Sequence, residues 1–178
     1  ARRQRQMCIR DRADTAIRIK AYRSVGLDIK GYKEAEASRG LAWSCKVYLH
    51  KKMLGLVSNN GDGGMTRVEI DYAQQTNLVA QLKAQGYQLQ LTFQGHAMDE
   101  PTETPEWLDM AITQMIDEVA QLRRLKRLGK THLIVLQHSN SPEFSFYKAP
   151  PSDTSIARIR RQLGPDLACV MNAEIAAL

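Results

Sequence analysis

Asn59-Asn60-Gly61-Asp62-Gly63-Gly64 is the stretch whose residue types and spacing best suit a ligand loop. Glycines set among turn-forming residues can bring backbone N–H groups close to an anion, as nests do. Asn60 and Asp62 can also orient a small ligand or a cation. The same residues serve equally well as a hairpin connection, because Gly and Asn supply the positive φ angles of tight turns. Two specific loop chemistries are excluded. The Lys-Ser/Thr pair of a P-loop is missing, and so are the spaced acids and closing Glu of a calcium loop.

The second constellation is basic. Arg123, Arg124, Lys126, Arg127 and Lys130 cluster near one another, and Arg158, Arg160 and Arg161 follow later; together they could form one phosphate-contacting face. The competing reading is a pair of solvated helix faces whose cations complement helix dipoles. No helix-turn-helix, RNP or finger signature accompanies them. Nucleic acid therefore stands as an alternative partner to a protein or a small ligand.

Catalytic candidates are few. Cys45 alternates with Trp43 and Val47 and so reads as core. His138-Ser139 cannot make a triad by adjacency, and no GxSxG elbow is present. His50, His96 and His132 lack the spacing of a shared metal site, while Glu103 and Glu106 read as helix-start acids. Cys45 and Cys169 occur without a CxxC or a Cys/His cluster, which argues against a zinc site or disulfide scaffold and favours a reducing, cytoplasmic setting. No catalytic residue, metal or cofactor is assigned on these grounds. An enzyme whose site assembles from dispersed residues, such as Asp62, His138 and Glu174, is the third reading.

Residues 2–11, Arg-Arg-Gln-Arg-Gln-Met-Cys-Ile-Arg-Asp, resemble the translation of a transposon-based sequencing-library adapter. Residues 1–12 are accordingly read as adapter-derived and disordered, and the natural N-terminus and any signal peptide stay open. The reading changes the charge argument. Of the formal +6, residues 1–12 contribute +4 (Arg2, Arg3, Arg5, Arg10 and Arg12 against Asp11), leaving +2 for residues 13–178. Overall basicity is then no argument for an anionic partner. Hydrophobic content of 43% and charged content of 25% are those of a globular chain, and no apolar run approaches the roughly 20 residues of a membrane span.

Residues 13–178 must supply the elements that position these candidates. Leu41, Trp43, Cys45, Val47 and Leu49 alternate with polar neighbours, which predicts a strand with one buried face. An earlier strand over 27–34, a Lys51-Lys52 turn, a strand over 53–58 and another over 66–70 complete an antiparallel meander. Asp71 with Gln74 predicts a helix start, Leu78, Val79 and Leu82 its apolar stripe, and Gly86 its stop. Alternation over 87–93 predicts a further short strand. Thr104 and Pro105 open the clearest helix, with Leu108, Ile112, Met115, Ile116, Val119 and Leu122 on one face and Gly129 at its end. The apolar run 132–137 predicts a strand covered on both faces, paired with 144–148. A third helix capped by Ser152 or Asp153 closes at Gly164-Pro165, and a last strand spans 167–171. The expectation is a single α+β domain, mainly antiparallel sheet with about three helices packed on it.

The chain also resembles a family of small bacterial and phage proteins of uncharacterised function, whose pattern holds an Asn-Asp-Gly-x-Gly-Gly loop, an acidic-to-basic helix, a Lys-Thr-x-Phe strand, an Ala-Pro step and a terminal Asn-Glu. The corresponding residues are Asn59 to Gly64, Lys130-Thr131-His132-Leu133, Ala149-Pro150 and Asn172-Ala173-Glu174. Asn60 stands where the pattern has an acid, and Ala173 interrupts the final pair. The resemblance implies a mobile-element or accessory setting and names no reaction. The leading expectation is a non-enzymatic protein- or ligand-binding accessory module, with nucleic-acid binding and dispersed-site catalysis as alternatives.

Overall fold

The computed structural model describes residues 13–178; the adapter-like residues 1–12 lie outside them. Five helices and antiparallel sheets of four and three strands make the chain α+β. The helices beyond the three expected are α1 (Ala13–Ser24), at the start of the described residues, and a short one, Asn172–Ala177, at the end. The chain divides into two compact units, Lys20–Asp117 and Glu118–Leu178 with residues 13–19.

In the first unit, β1 (Leu27–Ala37), β2 (Gly40–Leu49), β3 (Lys52–Asn59) and β4 (Arg67–Glu69) form an antiparallel meander in chain order. Period-two alternation does what it should: Trp43, Cys45 and Val47 are buried, and the register lays Ile29 beside Val47 and Cys45 beside Val57. The β2–β3 turn falls one residue earlier than expected. His50 and Lys51 both take positive φ (49° and 67°), the two-residue geometry whose twist matches a hairpin, while Lys52 already pairs with Leu49. Gly55 lets β4 approach, because a Cβ there would lie 1.9 Å from the Glu69 carbonyl oxygen.

Helix α2 (Tyr72–Ala84) begins as expected, with the Asp71 carboxylate accepting the Gln74 N–H, and buries Leu78, Val79 and Leu82. The strand expected over 87–93 shrinks to Thr92–Phe93 (β5), paired with His96–Ala97 (β6). Burial over 87–90 still alternates, with Tyr87 and Leu89 buried and Gln88 and Gln90 exposed. Side chains replace the missing neighbour strand. Glu100 Oε1 accepts the Leu89 N–H at 3.2 Å, Gln114 Oε1 accepts the Gln90 N–H at 2.8 Å, and Gln114 Nε2 donates to the Gln88 carbonyl at 3.0 Å. Period two marks an extended segment with one buried face; it does not specify what satisfies the backbone.

Helix α3 (Thr104–Leu128) buries its expected stripe and, in addition, Trp107, Ala111 and Leu125. The Glu103 carbonyl accepts the Trp107 N–H at 3.0 Å, so Thr104, expected as the cap, lies inside the first turn. Tyr22, Tyr87 and Trp107 stack edge to face, with centroids 6.2 and 6.3 Å apart, and anchor the helical part of this unit.

In the second unit β7 (Leu133–Gln137) lies between β8 (Phe144–Tyr147) and β9 (Leu167–Val170), all antiparallel. Leu133 and Val135 pack with Ile156, Ile159 and Leu163 of α4 (Asp153–Leu163). Ile134 points to the other face by strand alternation, where its Cδ1 lies 3.5 Å from the position a Gly129 Cβ would take at the end of α3. That is the two-sided cover the continuous apolar run required. Ser152 rather than Asp153 caps α4, and α5 (Asn172–Ala177) buries Ile175.

Candidate functional site

The β3–β4 connection holds Asn59 to Gly64. Asn59 Oδ1 accepts the Gly61 N–H at 2.8 Å, and Asp62 Oδ1 accepts the Gly64 N–H at 2.8 Å. Asn59 Nδ2 donates across the loop to the Gly64 carbonyl at 3.3 Å and to Thr66 Oγ1 at 3.1 Å. The Gly61 carbonyl accepts the Arg39 N–H at 3.0 Å, tying the loop to the β1–β2 turn. Two amides that a nest would offer to an anion are therefore already occupied, and a carboxylate stands among them. The loop is locked by its own polar groups. What it turns outward is Asn60, Gly63 and, immediately after it, Met65, which is 93% exposed.

The basic residues Arg123, Arg127, Lys130, Arg158 and Arg161 are exposed, as is Arg124. They do not share one face. Helix α4 covers the Leu133/Val135 side of the three-stranded sheet and the end of α3 covers the Ile134 side, so the two arginine groups ride on helices at opposite faces. Within α3, Arg123 and Arg127 lie one turn apart with Lys130 just beyond, and they line one edge of the helix end.

The titratable groups do not assemble a reaction centre. Burial pushes the Cys45 thiol up to about 11, and burial followed by the Glu174 charge raises Cys169. Raised thiols are poor nucleophiles at neutral pH. Ser139 Oγ donates to Asp166 Oδ2 at 2.6 Å, its N–H to Oδ1 at 2.7 Å, and Gln137 Nε2 to Oδ2 at 2.9 Å. The Ser139 hydroxyl, then its amide and Gln137, hold the Asp166 carboxyl below its ordinary value, which makes it a weak base. His138 lies in the single 3-10 turn after β7 and acts on Asp166, whereas Glu174 lies on α5. Asp62 belongs to the other unit. Among the described residues no group of three or more His, Cys, Asp and Glu is placed to hold a metal ion.

Two polar centres escaped the sequence reading. In the second unit Arg18 on α1 pairs with Glu118 on α3, with Asp14 Oδ2 3.2 Å from the guanidinium, and Thr15 Oγ1 donates to Gln121 Oε1 at 3.0 Å. Burial alone would lower the Arg18 pKa, but the Glu118 hydrogen bond and charge, with Asp14 behind them, carry it above its ordinary value. The signal was present: Glu118 stands three residues after Met115 and four before Leu122, on the apolar stripe itself. The other centre is Asn172. Its Oδ1 accepts the Ile134 N–H at 2.8 Å, and its Nδ2 donates to the carbonyls of Gly129 at 3.0 Å and His132 at 2.8 Å.

Set against known protein families, curated proteins and solved structures, the chain matches none of them. Fold and site define an α+β protein with antiparallel sheets and a self-locked, outward-facing loop. No described helix is long and apolar enough to cross a membrane.

Proposed function

We propose that this chain is a non-enzymatic accessory binding protein, cytoplasmic and of bacterial or phage origin, that takes a protein partner at the Asn59–Gly64 connection. Met65 carries the reading: a large apolar side chain, 93% exposed, held out at the end of a loop that hydrogen-bonds itself into one shape. A preformed loop loses little conformational entropy on binding, and an exposed methionine supplies adaptable contact area. The occupied Gly61 and Gly64 amides favour a protein surface over a small anion. The resemblance to bacterial and phage accessory proteins supports the setting.

The test is capture of partners from a bacterial lysate by immobilised full-length protein and by its Met65→Asp and Gly63→Val/Gly64→Val variants. Captured partners should fall at least about tenfold with both variants while thermal unfolding of Met65→Asp stays unchanged, as expected when a contact worth about 1.4 kcal/mol or more is removed. Equal capture by all three would remove the loop from the interface.

A second reading, nucleic-acid binding, has its support in the exposed edge Arg123, Arg127 and Lys130. That edge belongs to one helix end, a smaller footprint than two joined arginine faces would offer.

A further inference from the structure

The Asn59–Gly64 connection is not held by its own residues alone. Asn59 Nδ2 donates to Thr66 Oγ1 at 3.1 Å, and the Thr66 hydroxyl in turn hydrogen-bonds the side chain of Asp109 on α3. Thr113, one turn further along α3, donates Oγ1 to the Asp109 carbonyl at 2.9 Å and lies 3.5 Å from Asp109 Oδ1. Asn59 is also the residue whose Oδ1 holds the Gly61 amide. One continuous relay, Gly61 to Asn59 to Thr66 to Asp109, thus joins the loop to a half-buried carboxylate within the first unit.

We infer that Asp109 is a positioning residue for the loop: its carboxylate anchors Thr66, Thr66 orients Asn59, and the loop keeps its locked shape only while Asp109 is ionised. This deepens the reading of the loop as the contact surface and rests on that reading for its effect on binding. The chemistry is that of a charge-assisted hydrogen bond, roughly twice as strong as its neutral counterpart. A protonated Asp109 keeps its shape but loses the charge that fixes the direction of the Thr66 hydroxyl.

Burial raises the Asp109 pKa above the ordinary carboxylate value, partly offset by the hydrogen bonds from Thr66 and Thr113. The groups acting on it are thus neutral hydroxyls from the connection and from α3. The ionisable residues flanking them in the chain are Arg67 on β4 and Glu106 on α3. A raised carboxyl binds its proton more tightly when folded. Global stability should therefore rise as pH falls through the folded pKa, whereas the loop should loosen over the same range. A residue with only a structural role would move both in the same direction.

The experiment is amide exchange by NMR on the full chain between neutral pH and pH 4, reading protection factors at Gly61 and Gly64. Gly61 reports the relay through Asn59; Gly64 reports the local bond to Asp62. In the unmodified protein, Gly61 protection should drop roughly tenfold with a midpoint above the ordinary carboxylate range. Asp109→Asn should show the reduced protection at every pH and no step, and Thr66→Val should reproduce it without touching the carboxyl. Asp62→Asn should change Gly64 and leave the Gly61 step in place. No step in the unmodified protein, or a step that survives both Asp109→Asn and Thr66→Val, overturns the inference. Should the relay behave as described while Met65→Asp captures partners normally, the tether stands and the assignment of the loop as contact surface falls.

Discussion

Gly61 and Gly63 look alike in the sequence, yet the structure asks different things of them. Both take positive φ, 66° and 86°. A Cβ at Gly61 would also lie 2.6 Å from the Ala42 nitrogen and 2.7 Å from the Leu41 carbonyl carbon, both backbone atoms that cannot step aside. At Gly63 the nearest neighbour is the Arg39 side chain at 3.6 Å. Gly63→Ala should therefore cost only the left-handed backbone penalty, about 1–2 kcal/mol. Gly61→Ala should cost about 3 kcal/mol or more, because it adds a backbone clash to that penalty. Urea unfolding of the two variants compares them directly, and equal losses would mean that the close approach of the loop to β2 is wrong. The need for glycine in this loop was legible in the sequence. Which glycine meets the neighbouring strand was not, because that depends on a contact with residues some twenty positions earlier.

Helices α3 and α5 and strand β7 meet at Asn172, and here the element scale decides. Its side chain makes three hydrogen bonds, to the end of α3, the approach to β7 and the Ile134 amide. Removing it leaves two carbonyls and one amide without their partner. Asn172→Ala should lower stability by about 2–3 kcal/mol, read as a fall in the urea midpoint at unchanged slope. A loss below about 0.5 kcal/mol would show that water replaces the side chain without cost. The family-like pattern holds both Lys130-Thr131-His132 and Asn172. Their juxtaposition gives that pattern a structural meaning, since the Asn172 amide bonds the His132 carbonyl across 40 residues of chain. Periodicity located α2, α3, α4, β2 and β7 because each has one face with a consistent partner. It failed over 87–91, where an extended segment takes its hydrogen bonds from Glu100 and Gln114. It also gave no warning of α1, a polar helix whose buried Thr15 and Arg18 interrupt the apolar stripe that would have marked it.

For the molecule as a whole, charge is the property most easily misread. The formal +6 includes +4 from residues 1–12, so net basicity and the exposed arginines of α3 and α4 are separate matters. Binding of fluorescent duplex DNA across a salt series separates them, using the full chain, a version with Arg2, Arg3, Arg5, Arg10 and Arg12 replaced by Gln, and an Arg123→Glu/Arg127→Glu variant. The protein-binding reading expects any duplex affinity to vanish with the five Gln replacements. The nucleic-acid reading expects affinity to persist there, to fall by about 0.9 log units per log unit of salt for each phosphate contacted, and to collapse with the charge reversal. Because α3 and α4 lie on opposite faces of their sheet, adding Arg158→Glu and Arg161→Glu should change little beyond the α3 pair.

By itself the sequence determined the α+β class, the meander, the caps of α2 and α4 and the two-sided cover of β7. These follow from periodicities and local turn chemistry, which act over a few residues. Tertiary structure alone decided that Asn59 and Asp62 lock the loop rather than open it to a ligand. It also decided that the two arginine groups face apart, that Glu118 is buried against Arg18, and that Asp109 reaches the loop through Thr66. Each of these depends on which side chain meets which across tens to a hundred residues of chain, and such meetings are set by packing, not by local propensity.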